Sequence, residues 1–336
     1  MNNRTRLIVA AAFAVVLTVA AGAYVLYARE RTTTAVTAAP SPGVSYGPVT
    51  VGAAEGAMLM VTAGGGAGSG RVAEVAGGSR TVSDLRCVRF YAVEGTAVCL
   101  TAERGARTRY FAKVLGPDLR ELRSVELQGV PSRARISRSG RMIAWTVFVS
   151  GDSYLASGLS TRTGILDAKT GKVVRNMEEF QLFRDGKRLQ AVDLNYWGVT
   201  FTGDEDTYYA TVSTGGELFL VRGRVSARRA EVIAKDVECP SLSPDGTRLV
   251  YKKRTGEATR PWRLYVRDLA SGRETPLAER ENVDDQAAWL DGQTVMYARL
   301  RGDSTDVWAV PADGSGEPRL IARDAFSPVP PIPRSG

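Results

Sequence analysis

Beyond a long apolar start, the chain alternates short runs of apolar and polar residues with two-residue period, each run bounded by a tight turn. The pattern is clearest in two matching stretches. Cys239-Pro-Ser-Leu-Ser-Pro-Asp-Gly-Thr-Arg-Leu-Val-Tyr251 and Asp285-Gln-Ala-Ala-Trp-Leu-Asp-Gly-Gln-Thr-Val-Met-Tyr297 both set strands on either side of Asp-Gly, a pair suited to a turn with positive φ. Between them lie two more strands, at residues 262–268 and 274–278, joined through Ala270-Ser-Gly-Arg273. Gly246 to Gly292 is therefore one period of 46 residues and about four strands, the size of a β-propeller blade.

Turns in the same place occur at Glu55-Gly56, Glu94-Gly95, Ser139-Gly140, Gly203-Asp204, Asp245-Gly246 and Asp291-Gly292. Counted at the second residue of each pair, the spacings are 39, 45, 64, 42 and 46 residues, so one interval carries an insertion. Each turn precedes a β-rich run, ending at Val61, Leu100, Trp145, Ala210, Tyr251 and Tyr297. After the last full repeat, Asp324-Ala-Phe-Ser-Pro-Val329 resembles the first strand of a further blade with no hairpin partner left. Pairing it with the N-terminal blade closes a ring and covers two edges that an open array would expose. The expected fold is all-β, a six-bladed β-propeller with an N-terminal transmembrane helix or signal segment.

Four segments follow. Residues 1–31 hold a short basic tail and residues 7–28, an apolar run of ~22 residues without a charge, which at ~1.5 Å per residue spans the ~30 Å hydrocarbon layer. It reads as a signal anchor, helped by the interfacial Tyr24 and Tyr27; cleavage as a secretory signal after Ala21-Gly-Ala23 is the competing reading. Arg4 and Arg6 against Arg29 and Arg31 orient it only thinly, and the export-signal build places the propeller on the extracytoplasmic side. Residues 32–47, rich in Thr, Ala and Pro, form a tether; the propeller occupies 48–329 and a short tail 330–336.

Composition removes several chemistries. There is no histidine, which excludes a His-dependent acyl-transfer triad and histidine ligation of zinc or haem. The formal charge of +8 is mild and interspersed, with no nucleic-acid footprint. Gly64-Gly-Gly-Ala-Gly-Ser-Gly-Arg71 lacks the Lys and Ser/Thr of a phosphate loop and reads as a hairpin connection. The residues imply no cofactor and no metal: Asp193, Asp204, Glu205 and Asp206 match no calcium loop. Three cysteines leave an odd count. Symmetry about Glu94-Gly95 sets Cys99 opposite Phe90 rather than Cys87, so a Cys87–Cys99 disulfide requires a bulge; small buried residues at strand starts are the plainer expectation.

The insertion interval places additions near residues 150–163 and 178–195, the second containing a hairpin at Arg184-Asp-Gly-Lys187. Insertions on a rigid scaffold commonly carry function. Asp152, Tyr154, Arg184, Asp193, Tyr196 and Trp197 are the candidate partner-binding residues, although for the aromatics of 195–201 and 207–210 alternation favours the core. Arg133-Ala-Arg-Ile-Ser-Arg138 offers a basic edge, expected to be simply solvated.

Cys239-Pro-Ser-Leu-Ser-Pro-Asp-Gly246, Asp284-Asp-Gln-Ala-Ala-Trp-Leu-Asp-Gly292 and Asp306-Val-Trp-Ala-Val-Pro-Ala-Asp-Gly314 resemble the WD40-like (PD40) repeat of TolB-type propellers. Tyr196-Trp-Gly-Val-Thr-Phe201 with Thr207-Tyr-Tyr-Ala-Thr211 resembles TolB-like envelope proteins of actinobacteria. The likeness is sharp from about residue 193 to 328; Arg138-Ser-Gly-Arg141 and Thr202-Gly-Asp-Glu205 depart from the Ser-Pro-Asp-Gly turn. The resemblance implies a non-enzymatic propeller that docks another envelope protein or peptide. Two other functions compete: a carboxylate-dependent hydrolase of an envelope glycan, which needs acids ~5 to 9 Å apart, and a sensor of a small ligand.

Overall fold

The computed structural model describes residues 43–52, 54–66, 68–150 and 159–332. The predicted membrane segment 7–28, Asp152, Tyr154 and the last four residues lie outside the described residues. Two compact units are distinguished, and the propeller unit comprises residues 43–64 and those from 68 onward.

The first blade contains β1 (Val44–Tyr46), β2 (Met58–Thr62), β3 (Arg71–Ala76) and β4 (Ser79–Arg86). The second is β5 (Arg89–Val93), β6 (Thr96–Glu103), β7 (Arg109–Leu115) and β8 (Glu121–Leu127). The third is β9 (Val130–Ile136), β10 (Met142–Ser150), β11 (Leu159–Asp167) and the short β12 (Val173–Val174). A hairpin, β13 (Gln181–Arg184) and β14 (Lys187–Leu189), precedes the fourth blade, β15 (Asn195–Phe201), β16 (Thr207–Thr214), β17 (Glu217–Arg224) and β18 (Arg229–Lys235). The fifth is β19 (Glu238–Leu242), β20 (Arg248–Arg254), β21 (Trp262–Asp268) and β22 (Glu274–Pro276). The sixth is β23 (Ala288–Trp289), β24 (Thr294–Arg301), β25 (Ser304–Pro311) and β26 (Arg319–Ala322), and β27 (Ala325–Val329) ends the series. The four consecutive strands of the second to sixth blades form antiparallel meanders, so five of the six turns foreseen in the sequence join first strand to second, while Glu55-Gly56 leads into β2, whose inner neighbour comes from the other end of the chain.

Closure follows the expected route. β27 pairs antiparallel with β2, Val61 opposite Phe326 and Thr62 opposite Ala325, so the last strand supplies the innermost position of the first blade. Ala325 and Val329 are fully buried there. A polar latch holds the joint: Asp306 on β25 takes a bidentate pair from Arg301 at 2.7 and 3.1 Å and accepts from the Asp324 backbone N–H at 2.9 Å. Arg301 and the Ser304 hydroxyl both reach the Asp324 carboxylate at 2.7 Å, and the Ala63 N–H donates to the Asp324 carbonyl at 2.8 Å.

The residue ending each predicted run, Val61, Leu100, Trp145, Ala210, Tyr251 and Tyr297, is buried between sheets, which is why the period was legible. Two large rings on second strands are accommodated by a glycine opposite: Trp145 faces Gly164, and Tyr208 faces Gly223. A Cβ on either glycine would stand about 2.3–2.6 Å from the ring. Gly56, Gly95, Gly140 and Gly246 do adopt positive φ, but in the fourth blade the left-handed residue is Glu205 at φ 60°, and Gly292 turns without it.

Three expectations change. Cys87 and Cys99 form a disulfide with Cα atoms 5.4 Å apart. Cys99 indeed faces Phe90, but Cys87 sits where the chain bends from β4 into β5, its N–H held by Gly70 O, and this bend swings its side chain onto Cys99. The 181–189 hairpin forms as expected, with Asp185 and Gly186 both at positive φ, yet it adds parallel to β18 as an outer extension of the fourth blade. Val44–Tyr46, assigned to the tether, pairs parallel with β4 as an extra outer strand.

Candidate functional site

The inner strands β27, β5, β9, β15, β19 and β23 surround the propeller axis, where polar side chains from several of them meet. Arg135, on β9, is 8% exposed and crosses the axis to the sixth blade, donating to the carbonyls of Ala287 at 2.6 Å and Gln286 at 3.2 Å. Its guanidinium stacks on the Tyr91 ring of the second blade, 4.5 Å from the centroid. Gln286 in turn donates to Pro240 O at 2.9 Å and Val199 O at 3.4 Å, tying in the fifth and fourth blades. Arg89 donates to Ser132 O at 2.7 Å, joining the second blade to the third. The space left between Arg89, Arg133, Arg135 and Gln286 is about 20 Å³, room for roughly one water molecule. Five of the six blades are thus cross-linked through the axis, and the tube that a propeller could leave is shut.

Above this plug lies an ion-pair group. Lys252, 3% exposed, contacts Asp284 and lies 3.7 Å from Glu238, which also pairs with Arg254 at 3.4 Å. Arg133 approaches Asp284 at 3.9 Å. Burial pushes the Glu238 carboxyl up from its ordinary value despite Lys252 and Arg254. Burial acts the same way on Asp284, but Lys252 and Arg133 outweigh it and hold that carboxyl down. The difference follows from contact: Lys252 bonds directly to Asp284 but lies 3.7 Å from Glu238.

Arg133 and Arg135 were expected to be solvated, and this is corrected. The inner strand of a propeller has no solvent face, so residues two apart on β9 both project towards the axis. The clue available in the sequence was the pair of charged blocks, Arg133-Ala-Arg135 and Asp284-Asp285, each at the start of a repeat.

Of the residues singled out from the insertion, the four described ones do not assemble an open site. Arg184 lies on the outer hairpin of the fourth blade, 3.5 Å from Glu217 and 5.1 Å above the Phe219 ring. Asp193 accepts from the Thr214 hydroxyl at 2.6 Å and the Gly215 N–H at 2.7 Å, and these donors hold its carboxyl below the usual range. Both therefore brace the β16–β17 turn. Tyr196 is completely buried among Met177, Phe180 and Tyr208, so it presents no surface to a partner; Trp197 beside it is half-buried. Asp204 and Asp206 are likewise taken up by turn hydroxyls and N–H groups, and among the described residues no group of acids, cysteines or histidines is arranged for a metal.

No protein-family model matches the chain, and no curated protein matches it significantly. Solved structures do. TolB from Acinetobacter baumannii superimposes with a TM-score of 0.55 at 16% identity, over 82% of this chain and 66% of that one. The fold is that of a TolB-like β-propeller. A puromycin-hydrolysing peptidase from Mycobacterium tuberculosis matches at 0.52 and 14% identity, over 82% of this chain and 45% of that one, and a nidogen/laminin complex at 0.51 and 11%, over 81% and 97%. The chain thus spans about two thirds of the TolB and less than half of the peptidase. At these identities the likeness is one of fold.

Proposed function

We propose that this TolB-like chain is a non-enzymatic docking scaffold of the actinobacterial cell envelope. It binds another protein or peptide at the charged mouth of the ring, and is tethered to the cytoplasmic membrane through residues 7–28 with its propeller outside. The observation that carries this reading is the axial plug. With Arg135 reaching from the third blade to the opposite sixth, the mouth is a rigid charged floor that suits a macromolecular surface better than an enclosed small substrate. The Cys87–Cys99 disulfide suits an oxidising compartment. A propeller of this fold also occurs in a complex of two proteins, nidogen and laminin.

The hydrolase reading draws on the opposed shifts of Glu238 and Asp284, the kind that separates an acid from a base. Glu238 is walled in behind Lys252, however, and a general acid must touch the bond it protonates. The test is a photo-crosslinking residue in place of exposed Arg254 at the mouth, with a control in place of Asp291 at the far end. A discrete crosslinked protein from position 254 alone is expected. Equal capture at both positions rejects the mouth, and glycan cleavage lost in both Glu238→Gln and Asp284→Asn replaces docking with hydrolysis.

A further inference from the structure

A broad groove lies away from the axis, on the flank between the second and third blades. Its volume is about 1060 Å³. Arg107, Arg109, Arg123, Arg162 and Arg175 line it, and among the described residues Glu126 is the one acid in the lining. Arg107, Arg123 and Arg175 are exposed and have no carboxylate within ion-pair distance among the described residues. The floor is apolar: Val125, Leu127 and Val149 are buried, and Phe148 is 42% exposed at the lip. Gly129 lets the link into β9 lie against β10, since a Cβ there would stand 2.3 Å from Phe148 O.

The wall matters most. Residues 123–128 border the groove consecutively, although successive side chains of a strand point to opposite faces. What faces the groove is therefore the edge of β8, and no described strand pairs with that edge. Its seven residues extend over roughly 23 Å at ~3.3 Å each, enough for a partner segment of six or seven residues. Free edges are usually blunted because they template strand addition. Here Arg123 and the neighbouring arginines repel basic segments while leaving an acidic one free to dock.

We propose that this groove is a second binding surface, which takes an extended acidic peptide segment as an added strand on β8. Backbone hydrogen bonds to the edge would supply affinity, the apolar floor would take alternate side chains, and the arginines would select carboxylates. A flat anionic membrane or a duplex cannot reach an edge lining a groove, which favours a peptide over other polyanions. The proposal rests on the reading of the ring as a binding scaffold but uses a surface remote from the mouth, so the two fail separately.

The experiment uses the full chain in neutral detergent and a fluorescein-labelled decapeptide of alternating Glu and Val, followed by anisotropy. Binding is expected to weaken at least tenfold in the double variant Arg107→Glu with Arg175→Glu, both exposed positions whose folding is checked by thermal melting. It is expected to fall several-fold between 50 and 300 mM salt and to vanish for the same peptide N-methylated at alternate residues. The mouth variant Asp284→Asn should leave it unchanged. Binding that survives the double charge reversal or N-methylation overturns the proposal. So does equal, arginine-dependent binding of oligo-dT or phosphatidylglycerol vesicles, which would make the groove a general polyanion surface.

Discussion

At Tyr196 the core reading that alternation favours holds over the contact reading. The residue's neighbourhood is aromatic enough for a contact surface, yet the ring is sealed inside the fourth blade with no hydrogen-bond partner for its hydroxyl. Burial and then the charge of Glu178 raise its ionisation well above the ordinary phenol value, so it stays neutral. Tyr196→Phe should therefore stabilise the protein by up to about 1 kcal/mol, because an unsatisfied buried polar atom is removed; urea unfolding measures this, and a loss of stability would show that the hydroxyl has a partner after all. The cysteines depart from their sequence reading. Strand symmetry correctly set Cys99 against Phe90, but the bend that brings Cys87 across belongs to the link between two blades, which no period describes. The disulfide closes a loop of 12 residues, and the double variant Cys87→Ser with Cys99→Ser should lose about 3 kcal/mol, seen as a lower urea midpoint.

Among elements, the strands were legible because the second strand of each blade is buried on both faces, which writes a short β-rich run after a turn six times. The outer 181–189 hairpin was legible too, from Asp-Gly between apolar runs, but its docking on β18 was not, since edge pairing depends on what lies beside it in space. The candidate site was hidden for a related reason: Arg135 and Gln286 meet across the axis from opposite blades, and no local pattern records an encounter at that separation. The latch at β25 is open to test. Burial acts to raise the Asp306 carboxyl, but the Arg301 pair and the Asp324 N–H prevail and hold it below its usual 3.8. Its folded pKa is thus below the unfolded one, so its contribution is present above about pH 4 and is lost as pH falls through the folded value. Asp306→Asn should cost about 2 to 3 kcal/mol at pH 7, discounted because Arg301 is half exposed. The gap between variant and wild type should narrow below pH 4 in denaturant titrations; a gap that stays constant with pH would assign the loss to packing.

For the whole molecule, closure by the first and last strands makes the ring one cooperative object. Deleting residues 324–336 removes β27 and its latch, leaving Leu59 and Val61 uncovered along a bare β2 edge. The truncated chain should lose a single sharp thermal transition and self-associate, as differential scanning calorimetry and light scattering would show. A sharp transition and a monomer would mean that the remaining blades suffice. The same arrangement has a consequence in time. Synthesis runs from the N-terminus, so β2 is complete about 263 residues (325 − 62) before Ala325 appears, an interval of roughly 15 to 50 s at ~5–20 residues per second. Throughout it, the opening sheet carries an apolar seam that only the not yet translated strand can fill, so a nascent-chain chaperone has its most useful grip at β2.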